Sequence, residues 1–117
     1  MNWQIPRNIS AKDLDVWLLQ EANGPVLVDV REDPELEMAS FPFQVVHLPL
    51  SKASIWGLEI PRELKNKRSV VVICHSGIRS WNFASWLIAK GCSYEVWNLE
   101  GGIDAWSVQV DPSVPRY

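Results

Sequence analysis

Two kinds of apolar run alternate along the chain, and the spacing within each predicts the element it forms. VLVDV (residues 26–30) and SVVVI (residues 69–73) are short, β-branched and apolar on both alternating faces. That is the pattern of a strand covered on both sides, and hence of a parallel sheet. YEVWNL (residues 94–99) reads as a third strand. QVVHLPL (residues 44–50) is a weaker one, and its Pro49 favours an edge or a strand end. Between these runs the apolar period lengthens. SAKDLDVWLLQEANGP starts at Ser10 as an N-cap with Asp13 three residues on, carries Leu14, Trp17 and Leu18 on one face, and closes at Gly24 before Pro25. Ser80 to Lys90 places Phe83, Trp86, Leu87 and Lys90 at helical spacing and stops at Gly91.

Weaker signals fill the remainder. One helical turn is expected over residues 35–39 within the proline-broken REDPELEMASFP, a helix beginning near Pro61 in IWGLEIPRELKNKR, and a short helical turn in EGGIDAW. Strands alternating with helices imply an α/β fold: one domain over residues 1–117 with a mostly parallel central sheet and helices on both faces. Its core is expected over about residues 9–107, with 108–117 as a proline-containing tail.

Composition narrows the classes. A chain of 117 residues holds one core and not two ordinary domains. Lys and Arg number 11 against 14 Asp and Glu, a net charge of -3, and no basic cluster exceeds KNKR (residues 65–68), read as a solvated turn, so nucleic acid is not an expected partner. The sequence MNWQIPRNIS lacks an apolar run after a basic head, and no 18-residue apolar window occurs, which argues against secretion and membrane spanning and for the cytoplasm. The two cysteines, Cys74 and Cys92, are expected as reduced thiols, Cys92 in a structural role. The seven tryptophans fall mostly within apolar patterns and are expected in the core.

The candidate chemistry is concentrated in CHSGIRS, Cys74 to Ser80. Ligands of open α/β sheets bind at the carboxyl ends of strands, and Cys74 stands one residue past VVVI. A segment that leaves a strand and enters a helix this quickly must curl, with Gly77 supplying the freedom in φ. The curl turns backbone N–H groups inward, and the positive end of a helix beginning near Arg79 and Ser80 adds to them, forming a cradle for a negative group. Such surroundings favour the thiolate, which is the nucleophilic form. Arg79 has two uses open to it: facing the same anion, or bracing the loop against a carboxylate such as Glu32 or Glu100. His75 adds positive charge when protonated, or shows its ring to solvent.

Ring length discriminates between anions. A cradle for a phosphoryl group must surround three equatorial oxygens, and the thiol phosphatase signature carries one residue more between its cysteine and arginine, with a histidine before the cysteine. Here four residues intervene and Ile73 precedes the thiol. The tighter ring suits a one-atom guest, such as a second sulfur carried on the cysteine.

Three segments in order, LVDVRE (residues 27–32), CHSGIRS and LEGGIDAW (residues 99–106), resemble the motifs of the rhodanese-homology family, in particular its small single-domain members. The resemblance implies a rhodanese-like domain and a thiosulfate-type sulfurtransferase. In that chemistry Cys74 takes a sulfane sulfur from a small-molecule donor, holds it as a persulfide, and passes it to a thiophilic acceptor such as cyanide, thioredoxin or another thiol. It assigns catalysis to Cys74 and Arg79, substrate binding to the loop residues His75, Ser76, Gly77, Ile78 and Ser80, and support to Asp29 and Arg31, with no metal or organic cofactor. Residues 41–50, FPFQVVHLPL, depart from the glycine-containing stretch that family members commonly carry there, so the pocket wall they form is not given by the resemblance. Against the enzyme stands a second class: a non-catalytic sulfur carrier, or a module that binds an anion or a partner in the same cradle.

Overall fold

The computed structural model describes residues 5–57, 59–65 and 68–117. Among the described residues five strands form one parallel sheet: β1 (Arg7–Ile9), β2 (Val26–Asp29), β3 (Val46–His47), β4 (Val70–Ile73) and β5 (Val96–Leu99), in spatial order β1-β5-β4-β2-β3. The α-helices are α1 (Ala11–Gln20), α2 (Asp33–Met38), α3 (Ala53–Trp56), α4 (Ile78–Ala89) and α5 (Gly102–Gln109), with 3-10 turns at Leu50–Lys52 and Arg62–Leu64. Among the described residues no helix is long and apolar enough to cross a membrane.

Strict alternation in the strands divides the core into two. Leu27, Val71, Ile73 and Leu99 face one side, where Leu14 of α1 and Ile103 and Trp106 of α5 cover them. Val28, Val70, Val72 and Val96 face the other, against Phe83, Ala84 and Leu87 of α4 and Leu64. Removing side chains of this size from water stabilises the fold by about 1.5–3 kcal/mol each, which is why both helix layers close onto the sheet. The same period carries past the end of β4: Ile73 belongs to the first layer, and Cys74 to the second, beneath α4.

The strand order reverses between β2 and β4. From β2 the chain steps outward to β3, and from β4 it steps the opposite way to β5. Crevices form at the carboxyl ends of strands where such a reversal occurs, and Asp29 and Cys74 stand at the ends of these two strands.

Several expectations are met within a residue or two. Ser10 caps α1 with its hydroxyl oxygen accepting from the Asp13 N–H at 3.1 Å, and Pro49 follows the two-residue edge strand β3. Others are corrected. β1 is a strand that RNI, with one apolar side chain in three, does not announce; it forms by pairing with β5 at the edge. α4 starts at Ile78, two residues before Ser80, because Gly77 in the left-handed region serves as its N-cap. In place of a helix from Pro61 there is one 3-10 turn at Arg62–Leu64; residues 58, 66 and 67 of that segment, and so part of KNKR, lie outside the described residues. EGGIDAW opens a full helix, α5, not a single turn. Of the tryptophans whose side chains are described, Trp106 is buried, whereas Trp17, Trp81, Trp86 and Trp97 are half-buried; Trp17 and Trp97 pack against the first layer and Trp86 against the second.

The start of α5 is pressed against the end of β4. The Ile103 N–H donates to Cys74 O at 2.9 Å and the Asp104 N–H to His75 O at 3.1 Å. This approach requires a bare α-carbon at Gly102, where φ is +63° and an added Cβ would lie 2.5 Å from Cys74 O and 2.4 Å from His75 O. Gly102→Ala is therefore expected to cost about 3 kcal/mol or more, from left-handed strain plus displaced carbonyls. A urea titration followed by tryptophan fluorescence checks this; an unchanged midpoint would contradict the packing described.

Candidate active site

Cys74 Sγ is held from two directions. The Gly77 N–H donates to it at 3.0 Å, and Ser80 Oγ lies 3.2 Å away. Cys74 is 1% exposed, yet the sulfur is not among hydrocarbon alone: a backbone donor and a hydroxyl meet it, at the N-terminus of the twelve-residue α4. Gly77 makes the turn possible with φ +102°, and its N–H points inward as a result. Ser80, fully buried in the first turn of α4, donates its hydroxyl to Asn98 Oδ1 on β5.

Arg79 is turned to bracing. Its Nη1 and Nη2 donate to Glu35 Oε2 and Oε1 of α2 at 2.8 and 2.7 Å, a fork-on-carboxylate pair. Of the two uses open to it in the sequence, the loop brace is the one observed, and the carboxylate is neither Glu32 nor Glu100. Glu35 wins because one turn of α2 lifts it to the loop, while Glu32 accepts from the Ser51 N–H and hydroxyl. The Glu35 carboxylate also accepts from the Glu32 N–H at 2.9 Å and from the Tyr117 hydroxyl at 3.0 Å. The Arg79 hydrogen bonds hold it well below the ordinary carboxylate range, at about 2, against the opposing effect of burial. The same bonds push the Arg79 guanidinium higher still.

Asp29 and Arg31 are fully buried and pair with each other, Arg31 Nη2 to Asp29 Oδ2 at 2.8 Å and Nε to both oxygens. Arg31 does not hang free: Nη1 donates to Glu35 O at 3.3 Å and to the Tyr117 hydroxyl oxygen at 3.1 Å. Burial works against its charge, but these hydrogen bonds outweigh it and raise its pKa. His75 stacks on Tyr117, ring centres 4.2 Å apart and planes 14° from parallel. Ile78, 71% exposed, presents an apolar tip on the loop's outer side, and Ser76 is exposed on the loop.

The structure thus brings Cys74, Gly77 and Ser80 to one point, while Asp29, Arg31, Arg79 and His75 are linked to one another through Glu35 and Tyr117. Three neighbours were not singled out in the sequence. Asn98 lies within a strand whose alternation does announce a core-facing residue. Glu35 lies on a short polar helix. Tyr117 belongs to the tail, which folds back through a buried Val114 and an Arg116–Asp104 ion pair of 2.8 Å. His47 and Cys92 stand aside from the sulfur: His47 Nε2 lies 2.6 Å from Arg31 O, and Cys92 is a free, half-buried thiol whose pKa burial pushes up.

Because Glu35 titrates lower in the fold than the ordinary value near 4.5, its pair contributes stability that is present above that value and is lost as pH falls through about 2. Glu35→Gln is expected to cost about 2 kcal/mol at neutral pH, discounted because Arg79 is partly solvated, and to flatten the loss of stability between about pH 4.5 and 2. Urea midpoints of both proteins across that window check it; parallel curves would contradict it.

Comparison with known proteins bears on the family and the fold. The family model described as a rhodanese-like domain matches residues 13–109. The chain is 35% identical over 89 residues to a protein of Allochromatium vinosum named sulfurtransferase, covering 76% of this chain and 78% of that one. It is 42% identical over 92 residues to the rhodanese-like/PpiC domain-containing protein 12, chloroplastic, of Arabidopsis thaliana, covering 78% of this chain but spanning only 30% of that longer protein. Among solved structures, a rhodanese-like domain protein of Staphylococcus aureus superposes with a TM-score of 0.72 at 26% identity, over 95% of this chain and 98% of the other. With the family model covering most of its length, the chain belongs to the rhodanese-like domain family.

Proposed function

We propose that this protein is a sulfurtransferase that moves a sulfane sulfur through a persulfide on Cys74. The observation that supports it most is the setting of Cys74 Sγ, with the Gly77 N–H at 3.0 Å and Ser80 Oγ at 3.2 Å at the start of α4. The Gly77 N–H stabilises negative charge on sulfur without moving, and the Ser80 hydroxyl is within reach of the sulfur once it turns from Asn98. In the first step the Cys74 thiolate attacks the outer sulfur of a thiosulfate-type donor. The Sγ–S bond forms, the donor's S–S bond breaks, and sulfite leaves with the bonding electrons. In the second, a thiophilic acceptor, cyanide or a thiol such as that of thioredoxin, takes the outer sulfur and Cys74 leaves as thiolate. The remaining amides of residues 75–80 hold the charge on the outer sulfur between the two steps. No metal or organic cofactor enters either step, and a reducing compartment such as the cytoplasm suits a nucleophile that must stay free.

Arg79 favours a second reading of the same site. Its guanidinium is engaged by Glu35 through two hydrogen bonds, which suits a carrier that loads once and waits for its partner. The A. vinosum relative is named for sulfur transfer, and its likeness supports the shared chemistry of both readings.

Intact mass decides. Protein incubated with thiosulfate is expected to gain the mass of one sulfur atom, lost again on adding cyanide with release of thiocyanate, and Cys74→Ser is expected to abolish both. Thiocyanate accumulating over many turnovers supports the enzyme, and a single stoichiometric release supports the carrier. Full activity in Cys74→Ser would overturn both.

A further inference from the structure

Asn98 touches both of the groups that hold the sulfur. It stands in β5, 4% exposed, and its amide nitrogen faces two acceptors, Gly77 O and Asn8 Oδ1, each at 3.2 Å. With its nitrogen so engaged, the amide oxygen is fixed on the opposite side, where it accepts the Ser80 hydroxyl. A hydroxyl has one proton to give. While that proton is committed to Asn98, Ser80 Oγ turns only lone pairs toward Cys74 Sγ, 3.2 Å away. The resting donors therefore run in one direction, from the Cys74 S–H to Ser80 Oγ and from the Ser80 O–H to Asn98 Oδ1. Cys74 and Ser80 are both buried, so bulk water does not compete for these bonds.

Ionisation of Cys74 sets this arrangement against itself. Lone pairs facing a thiolate repel it, so the hydroxyl must swing to donate to sulfur, leaving the buried Asn98 Oδ1 without that proton, at the cost of an unmade buried hydrogen bond. When Sγ becomes the inner, uncharged sulfur of a persulfide, the charge moves outward and the hydroxyl returns to Asn98. Building on the sulfurtransferase reading above, we infer that Asn98 is a positioning residue: by claiming the Ser80 hydroxyl it holds back the bare Cys74 thiolate and favours the sulfur-loaded form. Asn8, on the edge strand, acts one step further out by fixing which way the Asn98 amide faces.

The test is a double-mutant cycle read by alkylation, in which the Cys74 thiolate displaces iodide from iodoacetamide and the modified peptide is quantified by mass spectrometry across neutral pH. Four proteins are compared: wild type, Asn98→Leu, Ser80→Ala and the double variant. Asn98→Leu also frees Gly77 O, which by itself slows alkylation, but that loss is common to both backgrounds and cancels. His75, Arg79 with Glu35, Arg31 with Asp29, Tyr117, Asp104 and Glu100, the charged and titratable groups around the loop, are the same in all four. The rate ratio produced by Asn98→Leu is expected to be about fivefold larger with Ser80 present than with Ser80→Ala, the worth of one hydrogen bond. Equal ratios would overturn the proposal. Should Asn98→Leu not fold, the exposed Asn8→Ala stands in, with an expected Ser80-dependent rise of about twofold; no such rise would likewise overturn it. Alkylation needs no sulfur donor, so a failure here is separable from a wild type that takes up no sulfur from thiosulfate.

Discussion

The arrangement depends on two helix N-termini meeting at one short loop. α5 takes the loop's carbonyls, with the Ile103 and Asp104 N–H groups donating to Cys74 O and His75 O. α4 begins inside the loop, and the Gly77 N–H turns to Sγ. With its carbonyls bonded on one side, the loop presents donors on the other, which is the polarity an anionic sulfur requires. The glycines serve this contact: Gly77 to reverse the chain, and Gly102 to let α5 approach the loop at van der Waals distance.

Around the loop, charge is balanced in pairs. Asp29 holds Arg31, Arg31 reaches Tyr117, Tyr117 donates to Glu35, and Glu35 holds Arg79. The chain of contacts runs from the end of β2 to the first turn of α4, so the loop is tied to α2 and to the residues at 114–117. Ion pairs of this kind add little net stability when solvated and are costly to break singly when buried. Their value here is positional: they hold the first turn of α4, and with it Ser80 and the Gly77 amide, at a set distance from the sulfur.

How legible the site was in the sequence follows from the range of the contacts. CHSGIRS is local: strand end, turn glycine and helix start lie within seven residues, and their consequence, a thiol at a helix N-terminus, follows from backbone geometry alone. LVDVRE places the flanking strand by the same kind of local signal, whereas LEGGIDAW gave only a turn where the bracing helix α5 forms. Glu35, Asn98 and Tyr117 reach the site across separations of 44, 18 and 82 residues in their bonds to Arg79, Ser80 and Glu35. Nothing in DPELEM or VPRY marks a functional residue, because the side chains they meet are supplied by other elements.

The apolar periods by themselves determined the strands β2, β4 and β5, the helices α1 and α4, the two-sided sheet and the position of Cys74 at a strand's carboxyl end, since each rests on contacts within a few residues or on the burial of one face. The strand order, the short edge strand β1, the choice of Glu35 as the partner of Arg79 and the direction of the Ser80 hydroxyl were decided only by the tertiary structure. Each of these is a competition among groups distant in the chain, and it is settled by which partner the packed sheet brings within hydrogen-bonding distance.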